Sequence, residues 1–226
     1  MGLDMYLNRM PRYKEVTANQ INAIENWFDY EQAKADGNEY AKCTFKEWCG
    51  CREEDLPDNE IVEYFRSIRT FNYPSWDNEK KWGSWRIIEQ VGYWRKANQI
   101  HNWFVNNVQD GEDDCDYHDE VTKEMLEALK TICETVIKSS TMTTGKLYNG
   151  CEWKNGEEIP VLEDGLIIDN PTIASILLPT TSGFFFGNTG YNEWYINDLK
   201  ETIDIIDKVL AETDFDSQMI FYVSSW

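Results

Sequence analysis

Several features that usually identify an enzyme or a membrane protein are missing from this 226-residue chain. No apolar run reaches 18 residues, so no membrane-spanning helix is predicted. The chain has no Gly-x-Ser-x-Gly, no His-Glu-x-x-His, no phosphate loop and no dinucleotide-binding fingerprint. Its only histidines are His101 and His118. These absences predict no catalytic residue, no cofactor and no contact with a membrane.

Positive charge is scarce: 21 lysines and arginines face 41 acidic residues, which gives a net charge of −20. Such a charge keeps a protein soluble and repels duplex DNA and anionic membranes. Any anionic ligand must therefore be held by a local cluster of cations. The same acidity also permits a different role, in which the protein imitates DNA and binds a DNA-binding partner.

The cysteines do not follow a familiar metal-binding pattern. Cys43, Cys49 and Cys51 could begin a zinc site completed by Cys115 or His118, but their spacing matches no common zinc motif. The first residues contain neither a basic stretch nor a long apolar one, so we expect no secretory signal. A cytosolic protein with reduced thiols and no bound metal is the resulting expectation.

One basic, aromatic-rich segment, Arg66–Lys96, stands out in this acidic chain. It has seven basic and only three acidic residues. Its basic residues are Arg66, Arg69, Lys80, Lys81, Arg86, Arg95 and Lys96. Its seven aromatic residues are Phe71, Tyr73, Trp76, Trp82, Trp85, Tyr93 and Trp94. Cations that pair with phosphate and rings that stack on bases are what a nucleotide site needs. The alternative is a solvated basic face beside core aromatics.

A helix is predicted from about Trp85 to Val108, so it begins within this segment. Apolar residues at helical spacing form its buried stripe: Tyr93, Ala97, Ile100, Phe104 and Val108. Trp94, Asn98 and His101 would form the adjacent stripe, at the border between core and water. His101 is the candidate hydrogen-bond donor or general base there. The alternative is a helix histidine whose hydrogen bonds are structural.

The second candidate segment is Ser182–Trp194. Ser182–Gly187 is predicted to be a buried strand, followed by a polar turn and then a helix. Free backbone N–H groups in such a turn can bind an anion. The residues assigned to this site are Asn188, Thr189, Gly190, Tyr191 and Trp194. The alternative is an ordinary junction between a strand and a helix.

The remaining pattern predicts the fold. A strand over Leu3–Leu7 and a last strand over Met219–Val223 enclose a largely helical chain, and Thr17 followed by Gln20 is a capping box. We predict a single α+β domain over residues 1–226. Its small mixed or antiparallel sheet contains the N- and C-terminal strands and is packed by four to five helices.

The stretch of about 139–170 is predicted to be inserted between helices. It contains three dipeptides typical of hairpin turns: Asn149-Gly150, Asn155-Gly156 and Asp164-Gly165. Strands over Leu147–Trp153, Ile159–Leu162 and Leu166–Ile168 would make this insertion a β meander. The acidic loop 110–119 lacks the regular spacing of an EF-hand and is predicted to be solvated.

Four motifs resemble a known group of proteins. They are Gly2–Leu7 (GLDMYL), Gly92–Val105 (GYWRKANQIHNWFV), Leu178–Gly187 (LPTTSGFFFG) and the Ser-Ser-Trp ending. The chain resembles small proteins that are common in phages and prophages. The resemblance covers the start, the middle and roughly the last fifty residues, and it implies variable insertions at about 36–84 and 139–170. The resemblance implies an accessory protein acting in the cytoplasm of an infected bacterium. Such proteins often counter host defence, for example by sequestering signalling nucleotides, and this step is an analogy.

The leading hypothesis is therefore non-catalytic binding of a phosphate-bearing nucleotide. Phosphate would be neutralised by Arg86, Arg95 or Lys96. Bases would stack on Trp94, Tyr191 or Trp194. Hydrogen bonds would come from Asn98, His101 and the turn Asn188–Gly190, which includes Thr189. Because several sites in one assembly favour sequestration, a homo-oligomer is expected.

Two alternatives belong to other classes. An acidic inhibitor would act by contact with a host defence protein or by imitating DNA. A nucleotide-processing hydrolase would use His101 as general base with a carboxylate such as Asp4.

Overall fold

The computed structural model describes residues 2–53, 56–72, 84–154, 156–183 and 185–226, and for Phe71, Asn72, Ser84, Trp85, Asn149 and Glu158 it describes the backbone alone. The strands are β1 (Asp4–Pro11), β2 (Thr70–Asn72), β3 (Ser84–Arg86), β4 (Glu89–Arg95), β5 (Met142–Lys154), β6 (Glu157–Ile168) and β7 (Gln218–Ser225). The helices are α1 (Ala18–Ala35), α2 (Phe45–Cys49), α3 (Asn59–Ile68), α4 (Asn98–Val108), α5 (Lys123–Ser139), α6 (Thr172–Leu177) and α7 (Glu193–Glu212), with a 3₁₀ turn at Glu39–Lys42. The α+β class is confirmed.

The N- and C-terminal strands are neighbours, as expected. The three-stranded sheet has the order β4-β1-β7. The Lys96 N–H donates to the Leu3 carbonyl, and the Arg12 N–H donates to the Ser217 carbonyl. The start of β1 therefore meets the end of β4, and the end of β1 meets the start of β7, so both pairings are antiparallel.

The chain divides into two compact units. One comprises Met1–Leu7, Val91–Thr213 and Tyr222–Trp226, and the other comprises Asn8–Gln90 and Asp214–Phe221. The first unit holds α4 to α7 and the pair β5–β6. The second holds α1 to α3 and the short pair β2–β3. The loop expected around Pro74 lies outside the described residues, as do five members of the basic, aromatic segment: Tyr73, Trp76, Lys80, Lys81 and Trp82.

The cysteine-bearing segment packs against α1 in the second unit. The predicted capping box at Thr17 starts α1, and a small core of Tyr30, Ala41 and Phe45 joins the helix to the segment that follows. The Tyr30 hydroxyl donates to the Cys43 carbonyl at 2.7 Å. The Cys49 thiol lies 3.2 Å from the Phe45 carbonyl. Among the described residues no group of three or more metal-binding side chains is gathered.

The helix predicted from Trp85 to Val108 is wrong in its first half. Residues 84–86 and 89–95 are strands, and only Asn98–Val108 is helical. In β4 burial alternates, with Gly92 and Trp94 buried and Tyr93 and Arg95 exposed, as a strand requires. Gly92 fits there because a Cβ atom would lie 2.8 Å from Ile205 Cγ2 of α7. The apolar spacing that suggested a longer helix belongs to α4 alone.

The predicted meander is a single long hairpin. β5 and β6 pair along their length, and Leu166–Ile168 is the end of β6 and not a third strand. The last described pair of the hairpin is Lys154 with Glu157, and Gly156 between them has a φ of +84°. The predicted turn residue Asn155 lies outside the described residues. Gly150, with φ of +84°, lies at a bulge. Gly165 pairs with Gly145 in extended backbone, where a Cβ atom would collide with the side chain of Leu147. Residue 165 is therefore glycine because a Cβ atom would overlap Leu147, and not because the chain turns there.

Asp198 on α7 gives the first unit a pH dependence. Its Oδ2 accepts a hydrogen bond from Gln99 Nε2 at 2.9 Å, and burial raises the pKa of its carboxyl to about 6. Because this pKa is above that of the unfolded chain, the folded state binds the proton more tightly. Ionisation therefore costs stability as pH rises from about 4 to about 6.

We expect Asp198→Asn to raise the free energy of unfolding at pH 7 by about 1–3 kcal/mol and to change it little near pH 4. Urea denaturation followed by circular dichroism at the two pH values measures this. Asp204→Asn, at an exposed position of the same helix, is the control and should shift stability by less than about 0.5 kcal/mol. An equal effect of Asp198→Asn at both pH values would contradict the assignment.

Candidate functional site

Two of the predicted ligand-binding side chains lie in the interior. Trp94 is 1% exposed, and its indole N–H donates to Thr202 Oγ1 at 2.9 Å. His101 is also 1% exposed. Placing these residues at the border with water was wrong, because Trp94 belongs to a strand and not to the helix of His101. Neither side chain can be reached by a ligand from solvent.

His101 lies in a buried polar cluster near the C-terminus. Its Nδ1 is 2.7 Å from the Tyr222 hydroxyl. Its Nε2 is 3.0 Å from Asp113 Oδ1, off the direction of an aligned hydrogen bond, and the Trp226 indole donates to the same oxygen at 3.1 Å. Burial lowers the pKa of the imidazole, so His101 is neutral at pH 7. Its contacts tie α4 to β7 and the end of the chain.

The carboxylate suggested as a partner for His101 is engaged elsewhere. Asp4 accepts a hydrogen bond from the Tyr93 hydroxyl, whereas the ring nitrogens of His101 face Tyr222 and Asp113. The structure therefore does not assemble the predicted pair of a general base and its carboxylate. The hydrolase alternative loses its base, since that base is inaccessible.

Asn98 holds the second candidate segment in place. This fully buried side chain donates through Nδ2 to the carbonyls of Phe186 at 3.2 Å and Asn188 at 2.9 Å. Its Oδ1 accepts from the Thr181 N–H at 3.0 Å. Asn98 is thus a positioning residue, although it was predicted to contact the ligand itself.

The segment that Asn98 holds is irregular where a strand was predicted. Phe185 and Gly187 have φ values of +68° and +91°, which strand backbone cannot adopt. The bends turn the carbonyls of Phe186 and Asn188 toward Asn98. The prediction of a strand over Ser182–Gly187 was therefore wrong for the residues that the structure describes.

Arg86 belongs to an ion-pair cluster of the second unit. Its Nη1 is 3.0 Å from Glu25 Oε1 and 3.3 Å from Asp29 Oδ2. Burial, the largest influence, raises the pKa of Glu25, and the charge of Arg86 opposes the shift. Arg86 also lines an open cleft of about 640 Å³ with Arg9 and Glu89, which pair at 2.7 Å. Both arginines of that cleft are already paired with carboxylates, so their positive charge is largely neutralised and would attract an anion only weakly.

Four predicted residues, including Gly190, line one cleft of the first unit, which we call the turn cleft. It has a volume of about 330 Å³ and is formed by Lys146, Leu147, Tyr148, Ile167 and residues 187–192. Asn188, Thr189 and Tyr191 are in its wall. Trp194 is 44% exposed at the start of α7 and is not among the lining residues. Lys146 and Tyr148 are site residues that the sequence did not suggest, because they come from a strand 40 residues away from the turn.

The turn presents fewer free N–H donors than expected. The Gly190 N–H donates to Asn188 Oδ1 at 2.6 Å. Asn192 Oδ1 accepts from the N–H groups of Trp194 and Tyr195, which caps α7. Asn188 Nδ2 donates to the Tyr148 carbonyl at 2.8 Å and so ties the turn to β5. The N–H groups of Gly190, Trp194 and Tyr195 therefore already donate to asparagine side chains of this segment, and they are not free to bind an anion as predicted.

Two cations, Lys96 and Arg95, lie near Gly187 of the cleft wall, although neither is among the lining residues. A Cβ atom on Gly187 would lie 3.0 Å from Lys96 Cβ, and one on Gly2 would lie 3.3 Å from Lys96 Cε and 3.7 Å from an Arg95 guanidinium nitrogen. Lys96 thus extends from the cleft wall toward Arg95. Both cations are exposed, and neither has an ion-pair partner within the described ranges. Lys146, in contrast, is paired with Asp164 at 2.6 Å.

A scan against protein-family models, a search of curated proteins and a search of solved structures each found no match. In the part of the chain that the structure describes, no helix has the length and apolar character needed to cross a bilayer.

Proposed function

We propose that this protein binds a phosphate-bearing nucleotide at the turn cleft and does not alter it. The observation that carries the proposal is the position of Lys96, an exposed cation without an ion-pair partner among the described residues, against the Gly187 wall of the cleft. Asn188, Thr189 and Tyr191 line the same cavity. Its volume of about 330 Å³ lies within the usual range for small-molecule sites, roughly 300–1,000 Å³.

In this proposal the cations bind the phosphate of the nucleotide, and the aromatic rings bind its base. Lys96 and Arg95 neutralise phosphate, and Lys146 joins them if the ligand displaces Asp164. Tyr148, which is 47% exposed, and Tyr191 offer ring faces for a base, worth about 1–3 kcal/mol for each stack. Thr189 and Asn188 supply hydrogen bonds to sugar or base. Binding without turnover is favoured because the only candidate general base of the hydrolase alternative, His101, is buried.

The biological role follows from the resemblance to phage and prophage proteins. Within the cytoplasm of an infected bacterium, a non-catalytic nucleotide binder would sequester a signal of host defence. The residues of the cleft support nucleotide binding, and the resemblance alone supports the role in infection.

Titration calorimetry with cyclic dinucleotides, cyclic trinucleotides and ADP-ribose tests the binding proposal. Lys96→Gln keeps the aliphatic stem beside Gly187 and removes the charge, so we expect affinity to fall at least about tenfold, or about 1.4 kcal/mol. Lys208→Gln, at an exposed position of α7, is the matched control and should bind like the native protein. Affinity should also decrease as salt rises.

Two results would contradict the proposal. One is that no nucleotide of the panel binds with a dissociation constant below about 1 mM, which means a binding free energy weaker than about 4 kcal/mol. The other is equal affinity of the Lys96→Gln and Lys208→Gln variants. Chromatography of the ligand recovered after binding separates the mechanisms, because intact nucleotide supports sequestration and a cleaved product requires an enzyme.

A further inference from the structure

The β5–β6 hairpin carries a row of large apolar side chains that face solvent. Trp153 is 73% exposed, Leu162 is 53%, Tyr148 is 47% and Leu166 is 43%. We call these four residues the hairpin stripe. An isolated two-stranded hairpin is marginally stable in water, and contiguous exposed apolar surface marks an interaction site. Within the described ranges these four side chains thus form an apolar surface that is open to solvent.

The register places the four side chains on one face of the hairpin. Thr144 pairs with Leu166, Lys146 with Asp164 and Tyr148 with Leu162, and alternate pairs share a face. The bulge after Tyr148 opposes two residues to one, so the same face continues at Cys151 and Trp153. The Cys151 Sγ, 2.6 Å from the Tyr148 hydroxyl, confirms the assignment.

The opposite face of the hairpin differs in burial and in charge. Leu147 there is 5% exposed, and its side chain lies over Gly165, as that of Ile167 lies over Gly145. Further toward the turn this face carries charged residues, namely Glu152, Lys154, Glu157 and Glu163. Ile159, which is 42% exposed, is the large apolar side chain open to solvent on this face among the described residues, against four on the stripe face.

Charge decides which partner fits the stripe. The charged side chains that the structure describes on this face are Lys146 and Asp164, and they pair with each other at 2.6 Å. Glu158 pairs with Trp153 at the end nearest the turn. The face is therefore nearly neutral in a chain whose net charge is −20. A basic partner would find little to attract it, whereas a second copy would meet the same neutral, apolar surface.

We propose that the hairpin stripe is the interface between two copies of this chain. The same patch is used by both subunits, as in a two-fold symmetric dimer. Because Lys146 and Tyr148 also line the turn cleft, the dimer places two clefts next to one interface. This inference does not depend on nucleotide binding, and its test measures assembly alone.

Sedimentation velocity of the whole chain tests the interface. We expect a dimer at micromolar concentration, and its dissociation constant should rise at least about tenfold in Trp153→Lys or Leu162→Lys. Ile176→Lys is the matched control, since Ile176 is 67% exposed on α6 and lies outside the stripe. Circular dichroism confirms that each variant is folded before its mass is compared.

The salt dependence of binding distinguishes a second copy of the chain from a basic partner. Dimerisation through a neutral apolar face should strengthen as salt screens the repulsion between two acidic chains, whereas a contact with a basic partner should weaken. The proposal is overturned if the native chain stays monomeric at about 100 μM and high salt. It is also overturned if Ile176→Lys prevents dimerisation while Trp153→Lys and Leu162→Lys still form the dimer.

Discussion

Trp94→Ala should lower the free energy of unfolding by about 3–5 kcal/mol, whereas Trp194→Ala should lower it by less than about 0.5 kcal/mol. Trp94 is 1% exposed and packs with its ring centroid 5.9 Å from that of Phe104. Its removal leaves a cavity the size of an indole and deprives Thr202 Oγ1 of its donor. Trp194 is 44% exposed, so most of its ring already contacts water.

Urea denaturation followed by far-ultraviolet circular dichroism gives both values, and it avoids the overlapping fluorescence of ten tryptophans. Trp94→Phe is an intermediate variant that keeps most of the apolar volume and loses the hydrogen bond to Thr202. Its stability should lie between those of the native protein and Trp94→Ala. Equal losses for Trp94→Ala and Trp194→Ala would mean that Trp94 is not a core residue.

Asn98→Ala is the second substitution with a large expected effect. It leaves the carbonyls of Phe186 and Asn188 and the Thr181 N–H without their partner. Each buried polar group that loses its hydrogen bond costs about 1–3 kcal/mol, and partial relaxation brings the expected loss of stability to about 2–5 kcal/mol. Because Asn98 holds the segment that ends in the turn cleft, ligand binding should be lost as well.

Hydrogen exchange provides a local readout for this variant. Protection of the Thr181 amide should fall more than that of amides in α5, because only the former donates to Asn98. Asn106→Ala on the same helix is the control, since its side chain is exposed and bonds to Asn102 one turn earlier. Unchanged protection at Thr181 in Asn98→Ala would show that the side chain does not hold the segment.

Local signals in the sequence located most of the regular elements. The capping box at Thr17 and the alternation of apolar and polar residues in β1 each involve residues a few positions apart. Such patterns report on their own segment, because the hydrogen bonds of a helix and the alternation of a strand depend on near neighbours. The α+β class and a sheet that contains both terminal strands followed from them.

Patterns open to two interpretations were decided by packing. The rings of Tyr93 and Trp94 fit a helix extended from α4, but β4 pairs with β1 and buries alternate residues. Asp164-Gly165 has the composition of a turn, yet Gly165 is there because Leu147 leaves no room for a Cβ atom. A glycine required for space and one required for a turn look the same in a sequence.

The sequence by itself determined the acidic charge, the scarcity of catalytic motifs and the polar turn that contributes Asn188, Thr189 and Tyr191. Only the tertiary structure decided which candidates face solvent. It buried Trp94, Asn98 and His101, paired Arg86 with Glu25, and brought Lys146 and Tyr148 to the turn. The physical reason is that exposure and ion pairing depend on residues distant in the chain, which composition and periodicity do not encode.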